Sequence, residues 1–400
     1  MFHVPRIHQQ LVDLDPAETD YATRFVELML EAAKAVKASD IHLQPTPAGL
    51  DLRWRLDGVL QRVGTFARGE STDVVSRLKV LAELLTYRTE VPQEGRIRER
   101  RGEVEMRVST FPTLHGERAV VRLFATRQRF QFLPELGLPV EIQRTLERVL
   151  GETSGALIIS GPAGSGKTTT AYASLRHLIA ASGGGRSVVS LEDPIEVPVD
   201  GAAQSQVNSR AGFDLLTGLR SLMRQDPEAI LVGEIRDREA AEIVFQASLT
   251  GHIIVTTFHA ASAASAISRL SDMGIEPYLL RSGILAILNQ RLVRELCQCA
   301  REVSNEDALL GLSIERAWEP VGCEKCRYTG YVGRLVLAEM LRADRSELTH
   351  AILSRSDARH LQDLCVQNGM ITCWQRGLEF VREGRTSPGE LRRVFGFGFS

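Results

Sequence analysis

The sequence contains no long hydrophobic run, no clear excess of either charge and almost no lysine. No window approaches about 18 consecutive apolar residues, and no apolar stretch follows a basic start at the N-terminus, so a membrane span and a secretory signal are not expected. The 48 basic and 50 acidic residues give a net charge of −2, which argues against nucleic acid as a partner. With 400 residues, 44% of them hydrophobic, the chain can still bury more than one core, and we expect two or three domains.

Lysine and cysteine are so unevenly used that their positions carry information. Only five of the basic residues are lysine, so a lysine in a chemically meaningful place stands out. Cysteine is absent from the first 296 residues, and the six that follow are Cys297, Cys299, Cys323, Cys326, Cys365 and Cys373. Since no export signal precedes them, a local metal site or buried thiols fit better than a disulfide framework.

The hydrophobic periodicity predicts an α/β protein and changes near the middle of the chain. Before residue 127, helical spacing at 21–38 and strict alternation at 50–56, followed by an Asp57-Gly58 turn, indicate an α/β domain with antiparallel strands. Residues 127–139 hold two prolines and a glycine and are predicted to be a linker. The later apolar runs are typical of a parallel sheet covered on both faces: 156–160, 187–191, 229–233 and 252–258.

The segment 161–168, GPAGSGKT, fits the pattern G-x-x-x-x-G-K-[ST] and stands between a strand-type run and a helix-forming stretch. Glycines let backbone N–H groups turn towards phosphate oxygens, the helix N-terminus adds partial positive charge, and Lys167 can reach the β- and γ-phosphates. A glycine-rich turn before an ordinary helix is the alternative, but the position favours nucleotide binding. The predicted nucleotide-binding residues are Gly161, Pro162, Ala163, Gly164, Ser165, Gly166, Lys167, Thr168 and Thr169, with the hydroxyl of Thr168 also a ligand of Mg²⁺.

Three further side chains follow strand-type runs and can supply the chemistry of hydrolysis. Glu234 comes directly after the run 229–233, where a carboxylate can orient or deprotonate an attacking water. The acidic turn that begins at Glu192 emerges at the same sheet edge, although such a turn is also typical of a helix cap or a solvated loop. His259 directly follows the run 252–258. It is either a packed or surface histidine or a hydrogen-bond donor to the γ-phosphate.

Together these segments resemble the hexameric secretion ATPases of type II secretion and type IV pilus assembly (GspE/PulE/PilB-like) over about residues 20–395. The resemblance lies in the Walker A box at 161–168, the Asp box at 192–196, the Walker B box at 229–237 and the His box at 250–259, and in ASDIHLQP, LRWRLDGVL, QEGR and LRSLMRQDP. It implies a smaller PAS-like N-terminal α/β domain at 1–126, a RecA-like P-loop ATPase core at 140–290, a four-cysteine module at 291–335 and a C-terminal helical region at 336–400.

The resemblance also implies roles for particular residues. Glu234 would be the catalytic glutamate, Glu192 an assisting acid and His259 part of a γ-phosphate sensor. Arginines of the N-terminal domain would stabilise charge on the transferred phosphoryl group, although arginines on a hairpin are also typical of a solvated face. The matching positions are Arg96, Arg107 and Arg122.

The cysteines at 297–326 differ in spacing from those of the family members, which bind zinc with two C-x-x-C pairs. Here the first pair is shortened, because a single residue separates Cys297 from Cys299, whereas the pair formed by Cys323 and Cys326 is intact. Four thiolates around one Zn²⁺ and buried free thiols therefore both remain open.

The function implied by the resemblance is a cytoplasmic ATP-hydrolysing motor, peripheral at the inner membrane, that assembles a secretion pseudopilus or a pilus. Its expected cofactors are ATP, Mg²⁺ and Zn²⁺, and its expected partners are other copies in a hexamer and inner-membrane platform proteins. We expect the additional N-terminal docking domain of many relatives to be missing. The alternatives are a retraction motor, which the cysteine pairs argue against, a DNA-uptake or DNA-transport ATPase, and a nucleotide-binding regulator that barely hydrolyses ATP.

Overall fold

The computed structural model describes residues 4–70, 73–98, 105–123, 130–343 and 346–398. The chain divides into two compact units, Met1–Arg127 and Gln128–Ser400. The first residues of the predicted linker, 127–129, lie outside the described residues. None of the helices in the described ranges has the length and apolar character needed to cross a bilayer.

The first unit is built on a six-stranded antiparallel sheet with the strand order β3-β2-β1-β6-β5-β4. Its strands are β1 (Asp40–Thr46), β2 (Gly49–Leu56), β3 (Val59–Phe66), β4 (Gln93–Arg98), β5 (Glu105–Thr113) and β6 (Gly116–Leu123). The helices α1 (Val4–Val12), α2 (Tyr21–Ala35) and α3 (Val74–Leu81) share one hydrophobic core with the sheet. The unit is therefore an α/β domain with antiparallel strands, as its periodicity predicts.

Strand β2 shows how the alternation in the sequence produces this sheet. Leu50, Leu52 and Trp54 are fully buried on the core face. The turn after β2 has φ angles of 47° at Asp57 and 84° at Gly58, a left-handed pair that matches the twist of a two-residue hairpin. The alternation and the Asp-Gly signal, both local in the sequence, thus account for the β2–β3 hairpin.

The second unit contains a seven-stranded sheet with the order β15-β12-β7-β11-β10-β8-β9, and a separate two-stranded ribbon. All neighbours in the large sheet are parallel except β15, which is antiparallel to β12. The strands are β7 (Gly155–Ser160), β8 (Val188–Glu192), β9 (Ala203–Gln206), β10 (Ala229–Val232), β11 (Ile253–Phe258), β12 (Ile284–Leu296), β13 (Arg301–Val303), β14 (Ala317–Glu319) and β15 (Tyr331–Arg342).

Among the described residues of the second unit, eleven α-helices flank these strands. They are α4 (Val140–Leu150), α5 (Lys167–Ala181), α6 (Leu215–Leu222), α7 (Arg238–Leu249), α8 (Ala263–Asp272), α9 (Pro277–Gly283), α10 (Glu306–Leu309), α11 (Ser346–Leu353), α12 (Ala358–Gln367), α13 (Cys373–Arg382) and α14 (Pro388–Phe395). Alternate residues of the central strands enter two different hydrophobic clusters, one on each face of the sheet. Both faces of the sheet are therefore covered, which explains why the central strands are uninterrupted apolar runs in the sequence.

Strands β12 and β15 extend the sheet beyond the limits expected from the sequence. The expected boundary at 290/291 falls inside β12, and the one at 335/336 falls inside β15. Both strands belong to the sheet that carries β7, and β12 pairs directly with β7. The four-cysteine segment is therefore an excursion between two strands of the main sheet, and α13 and α14 pack on those strands through a shared hydrophobic cluster.

Candidate functional site

The loop between β7 and α5 has the backbone of a phosphate cradle. Its glycines adopt left-handed conformations, with φ of 146° at Gly161 and 90° at Gly166. A Cβ on Gly161 would lie 2.4 Å from the carbonyl oxygen of Gln290, so a larger residue is excluded by space as well as by conformation. The first N–H groups of a helix have no acceptor within the helix, and those of α5 begin at Lys167, directly behind the loop. The loop therefore places the N-terminus of a helix and a lysine side chain where an anion can bind.

The side chain of Lys167 lies within the loop and is buried. Its Nζ donates to the carbonyl oxygens of Gly161 at 2.9 Å and Pro162 at 3.0 Å, and lies 3.5 Å from Nδ1 of His259. Burial lowers the pKa of Lys167, and the nearby carboxylate of Glu234 opposes this effect. The ammonium group thus sits in a poorly solvated place that an anion would make more favourable.

Glu234 follows β10 and is joined to His259, which follows the adjacent strand β11. The distance from Nε2 of His259 to Oε1 of Glu234 is 2.8 Å, while Nε of Arg236 donates to Oε2 of Glu234 at 2.9 Å. Arg236 also donates to Asp193 of the acidic turn at 3.3 Å. Both oxygens of the Glu234 carboxylate are held, yet the side chain keeps about a fifth of its surface exposed, 22%. Glu234 is therefore oriented and still accessible.

The two glutamates of the acidic turn have different surroundings. Glu192 is buried and accepts hydrogen bonds from Tyr172, from Ser190 at 2.6 Å and from Gln204 at 3.1 Å. Glu196 instead accepts from the hydroxyl of Thr168 at 3.4 Å. The acid that reaches the end of the phosphate loop is thus Glu196, which the sequence-based site did not include, whereas Glu192 is enclosed by the fold.

Tyr172 connects these two glutamates to helix α5. Its hydroxyl donates to Glu192 and accepts from the backbone N–H of Glu196 at 3.0 Å. Burial and the neighbouring Glu192 raise the pKa of Tyr172, so the hydroxyl keeps its proton. Tyr172, just over one helical turn beyond Lys167, therefore holds the acidic turn in place.

Sequence reasoning also missed Gln290, which supports the phosphate loop from strand β12. Its side-chain amide donates to the carbonyl of Ser165 at 2.7 Å and accepts from the hydroxyl of Thr170 at 2.9 Å. The signal was present in the sequence, because Asn289-Gln290-Arg291 interrupts an apolar strand-type run. Polar residues in a buried run are expected to have hydrogen-bond partners, and here the partners belong to the site.

The three predicted arginines belong to the first unit, where they form a row across its sheet. Arg96 on β4 lies opposite Arg107 on β5, and Arg107 lies opposite Arg122 on β6. Arg122 donates to Asp40 at 3.1 Å, and Arg107 donates to Glu94. Like charges placed directly opposite each other destabilise a sheet, so such a row is favourable where an anion binds it.

Four of the six cysteines come together at the ends of the excursion between β12 and β15. The sulfur atoms of Cys297, Cys299, Cys323 and Cys326 all lie within 4.8 Å of one another. Three of the distances, 297–323, 299–326 and 323–326, are 3.8, 3.8 and 3.7 Å. Zinc–sulfur bonds of about 2.3 Å at tetrahedral angles place sulfurs about 3.8 Å apart, whereas a disulfide needs about 2.05 Å. The donor set and its spacing fit a tetrahedral zinc ion, and the shortened first pair does not prevent the fit.

Comparison with known proteins gives consistent matches along almost the entire chain. A family model described as Type II/IV secretion system protein matches residues 15–393. The chain is 41% identical over 391 residues to the type II secretion system protein E of Dickeya dadantii, covering 95% of this chain and 77% of that protein. It is 36% identical over 389 residues to the type IV pilus assembly ATPase PilB of Thermus thermophilus, covering 94% of this chain and 43% of that protein.

Two solved structures are similar in fold. The Legionella pneumophila ATPase DotB superposes with a TM-score of 0.68 at 22% identity, covering 95% of this chain and 98% of that one. The pilus retraction motor PilT with bound ADP gives 0.62 at 20% identity, covering 92% and 95%. At these identities the likeness shows the fold, and it agrees with the parallel sheet and the phosphate loop described above.

Proposed function

Because the chain belongs to the Type II/IV secretion system protein family, we propose that it binds ATP at the loop 161–168 and hydrolyses it with Glu234 as the catalytic base. The observation that carries this proposal is the line of contacts from Lys167 through His259 to Glu234. It brings the cation of the phosphate loop and an accessible carboxylate to the two sides of one imidazole ring.

The partners of His259 indicate which ring nitrogen carries the proton. The ammonium of Lys167 has only protons to offer, so Nδ1 of His259 is the acceptor on that side, and Nε2 carries the proton that faces Glu234. His259 and Arg236 each occupy one lone pair on a different oxygen of Glu234. The lone pairs that remain can take a proton from a water molecule that attacks the γ-phosphate.

The remaining residues of the site bind and orient. We propose that Lys167 and the N-terminus of α5 hold the phosphates and that His259 senses the γ-phosphate. Thr168, with Glu196 beside it, would hold Mg²⁺, which supplies charge neutralisation of the phosphates. Glu192 would assist by fixing the acidic turn, since its oxygens are already engaged. Arg96, Arg107 and Arg122 would stabilise negative charge on the phosphates during hydrolysis.

We also propose that the four-cysteine cluster holds one structural zinc ion. Metal analysis of the purified chain should find about one zinc per molecule, and Cys326→Ser should lose it. Cys365→Ala is the matched control, because Cys365 is a buried cysteine of α12 outside the cluster. Only traces of zinc in the unmodified protein would contradict the proposal and favour free thiols.

The role we propose is that of a hexameric motor for a type II secretion pseudopilus or a type IV pilus, acting at the inner membrane through platform proteins. Support comes from relatives named for type II secretion and for pilus assembly at 36–41% identity. The fold shared with PilT does not distinguish assembly from retraction, so a retraction motor is the alternative. The cysteine cluster favours assembly, because the family resemblance implies that retraction motors lack such cysteine pairs.

The test compares ATP binding and phosphate release by the oligomeric wild type, Glu234→Gln and Glu239→Gln. Glu239 is an exposed glutamate in the first turn of α7 and serves as the matched control. We expect Glu234→Gln to bind ATP normally and to hydrolyse it about 100-fold or more slowly, while the control keeps the wild-type rate. Equal rates for wild type and Glu234→Gln would refute the proposed catalysis.

A further inference from the structure

Three consecutive backbone carbonyls, those of residues 259–261, each accept a hydrogen bond from a side chain of another element. The donors are, in order, Nη1 of Arg269 at 2.7 Å, Nδ2 of Asn289 at 3.3 Å and Nη2 of Arg291 at 3.0 Å. Side-chain donors thus fix the backbone that carries the His259 ring and the residues directly behind it. Two of the three come from β12, on either side of Gln290.

Arg291 differs from the other two donors because it also reaches the C-terminal helix. Its Nη1 donates to the carbonyl of Val394 in α14 at 2.8 Å, and its guanidinium carbon lies 4.6 Å from the ring centre of Phe395. The side chain is buried, with 9% of its surface exposed, and its Nε has no hydrogen-bond partner among the described residues. Its two charged hydrogen bonds therefore end on backbone carbonyls of two separate segments.

Among the described residues no carboxylate forms an ion pair with the guanidinium of Arg291, although the nearby buried Glu339 partly offsets its charge. Burying a charge without such a pair is unfavourable, and an apolar side chain of similar size would fill the same space at a lower free-energy cost. The fork of Arg291 gives something an apolar residue lacks, namely a fixed separation between two carbonyl groups. One of these groups lies two residues after His259. The other lies in α14, whose Glu390 is fully buried and accepts from Arg294 and Arg393.

We propose that Arg291 is a positioning residue for His259, and that through it helix α14 holds the His259 ring in contact with Glu234 and Lys167. This inference rests on the proposed function for its effect on hydrolysis. The opposing interpretation is that Arg291 only packs α14 onto the sheet. His259 lies two residues before the carbonyl that Arg291 holds. Positioning predicts that a change at Arg291 disturbs the imidazole of His259, whereas packing predicts that it does not.

The experiment measures kcat and ATP affinity for Arg291→Ala, Arg291→Lys and His259→Ala, and for the double variant Arg291→Ala/His259→Ala. We expect Arg291→Ala to lower kcat about 10- to 100-fold, because small misplacements of catalytic groups have effects of that size. ATP affinity should stay within about twofold, since the phosphate loop is held by Gln290 instead. Arg291→Lys should retain part of the rate, as an ammonium reaches one carbonyl but cannot form the fork.

The double variant distinguishes positioning from packing. If Arg291 acts through His259, the double variant is no slower than His259→Ala alone, whereas independent effects multiply. Arg392→Ala is the matched control, because Arg392 is a buried arginine of α14 that donates to the carbonyls of Leu310, Gly311 and Gly396. Multiplying losses, or an equal loss in the control, would overturn the inference.

A second readout does not depend on hydrolysis. Nitrogen-15 NMR of the histidine rings reports the protonation and hydrogen bonding of His259. Its signals should shift in Arg291→Lys and stay in place in Arg392→Ala. If the wild type binds ATP without hydrolysing it, the proposed function fails, and these spectra still decide the inference. If Arg291→Ala does not fold, the lysine variant carries both readouts, and unchanged signals and kcat in that variant would refute the positioning role.

Discussion

Glu192 is the last residue of β8 and Glu234 follows the neighbouring strand β10, and we assign them different roles because their surroundings differ. Glu192 is 3% exposed and accepts from three side chains, so its carboxylate is enclosed and already engaged. Glu234 keeps 22% of its side-chain surface and is oriented by one histidine and one arginine. Residue type alone does not separate a base from a framework residue; the separation comes from exposure and from the number of donors already bound.

Removal of the Tyr172 hydroxyl tests the framework role of Glu192. In Tyr172→Phe the buried carboxylate of Glu192 loses a donor, and the N–H of Glu196 loses its acceptor. We expect a loss of about 1–3 kcal/mol in unfolding free energy and a higher Mg²⁺ requirement for hydrolysis, because Glu196 is no longer held beside Thr168. Thermal unfolding and Mg²⁺ titrations measure the two effects.

The matched control is Tyr278→Phe, since Tyr278 is 57% exposed. If Tyr172→Phe behaves like this control in both measurements, the hydroxyl does not fix the acidic turn.

At the scale of elements, strand β12 supports the site through side chains on both of its faces. Because side chains of a strand alternate between faces, Gln290 supports the phosphate loop while Asn289 and Arg291 hold the segment after β11. One strand therefore contacts both the loop 161–168, for which we propose phosphate binding, and the segment that carries His259. A change on one face of β12 should affect binding, and a change on the other face should affect turnover.

The substitution Gln290→Ala tests the binding face. It removes the hydrogen bonds to Ser165 and Thr170, and we expect ATP affinity to fall about 3- to 10-fold, the loss that one or two net hydrogen bonds produce. Fluorescence titration with a labelled nucleotide measures the affinity, and Gln362→Ala, in α12, is the control. An unchanged affinity would show that the phosphate loop keeps its shape without β12.

The local parts of this architecture could be predicted from the sequence, and the distant pairings could not. The apolar runs, the Asp57-Gly58 turn and the loop ending at Lys167 depend on residues close together in the chain, and the structure confirms the sheet and the loop conformation. The pairing of β12 with β15 joins segments separated by the cysteine excursion, and no periodicity reports it. The contact of Glu196 with Thr168 likewise depends on the tertiary position of Tyr172.

At the scale of the whole molecule, each unit carries charged groups suited to a triphosphate. The second unit holds the phosphate loop and Glu234, and the first holds the row formed by Arg96, Arg107 and Arg122. The row places like charges opposite each other with Asp40 and Glu94 as acidic partners. An anionic ligand would relieve the repulsion that remains.

The substitution Arg107→Ala tests the contribution of this row. We expect kcat for ATP hydrolysis to fall at least about tenfold with little change in ATP affinity, because a guanidinium that stabilises developing charge acts mainly in the transition state. Arg62→Ala is the matched control, since Arg62 is an exposed arginine of β3 bound to Asp51. Equal rates for the two variants would remove the arginine row from the mechanism.

The most direct measurement is a crystal structure of the Glu234→Gln variant with ATP and Mg²⁺. Our account predicts the γ-phosphate within hydrogen-bonding distance of Nζ of Lys167, Mg²⁺ at the hydroxyl of Thr168, and the side chain at position 234 facing the γ-phosphate across a water molecule. An empty loop at 161–168, or a side chain at position 234 that points away from a bound triphosphate, would contradict it.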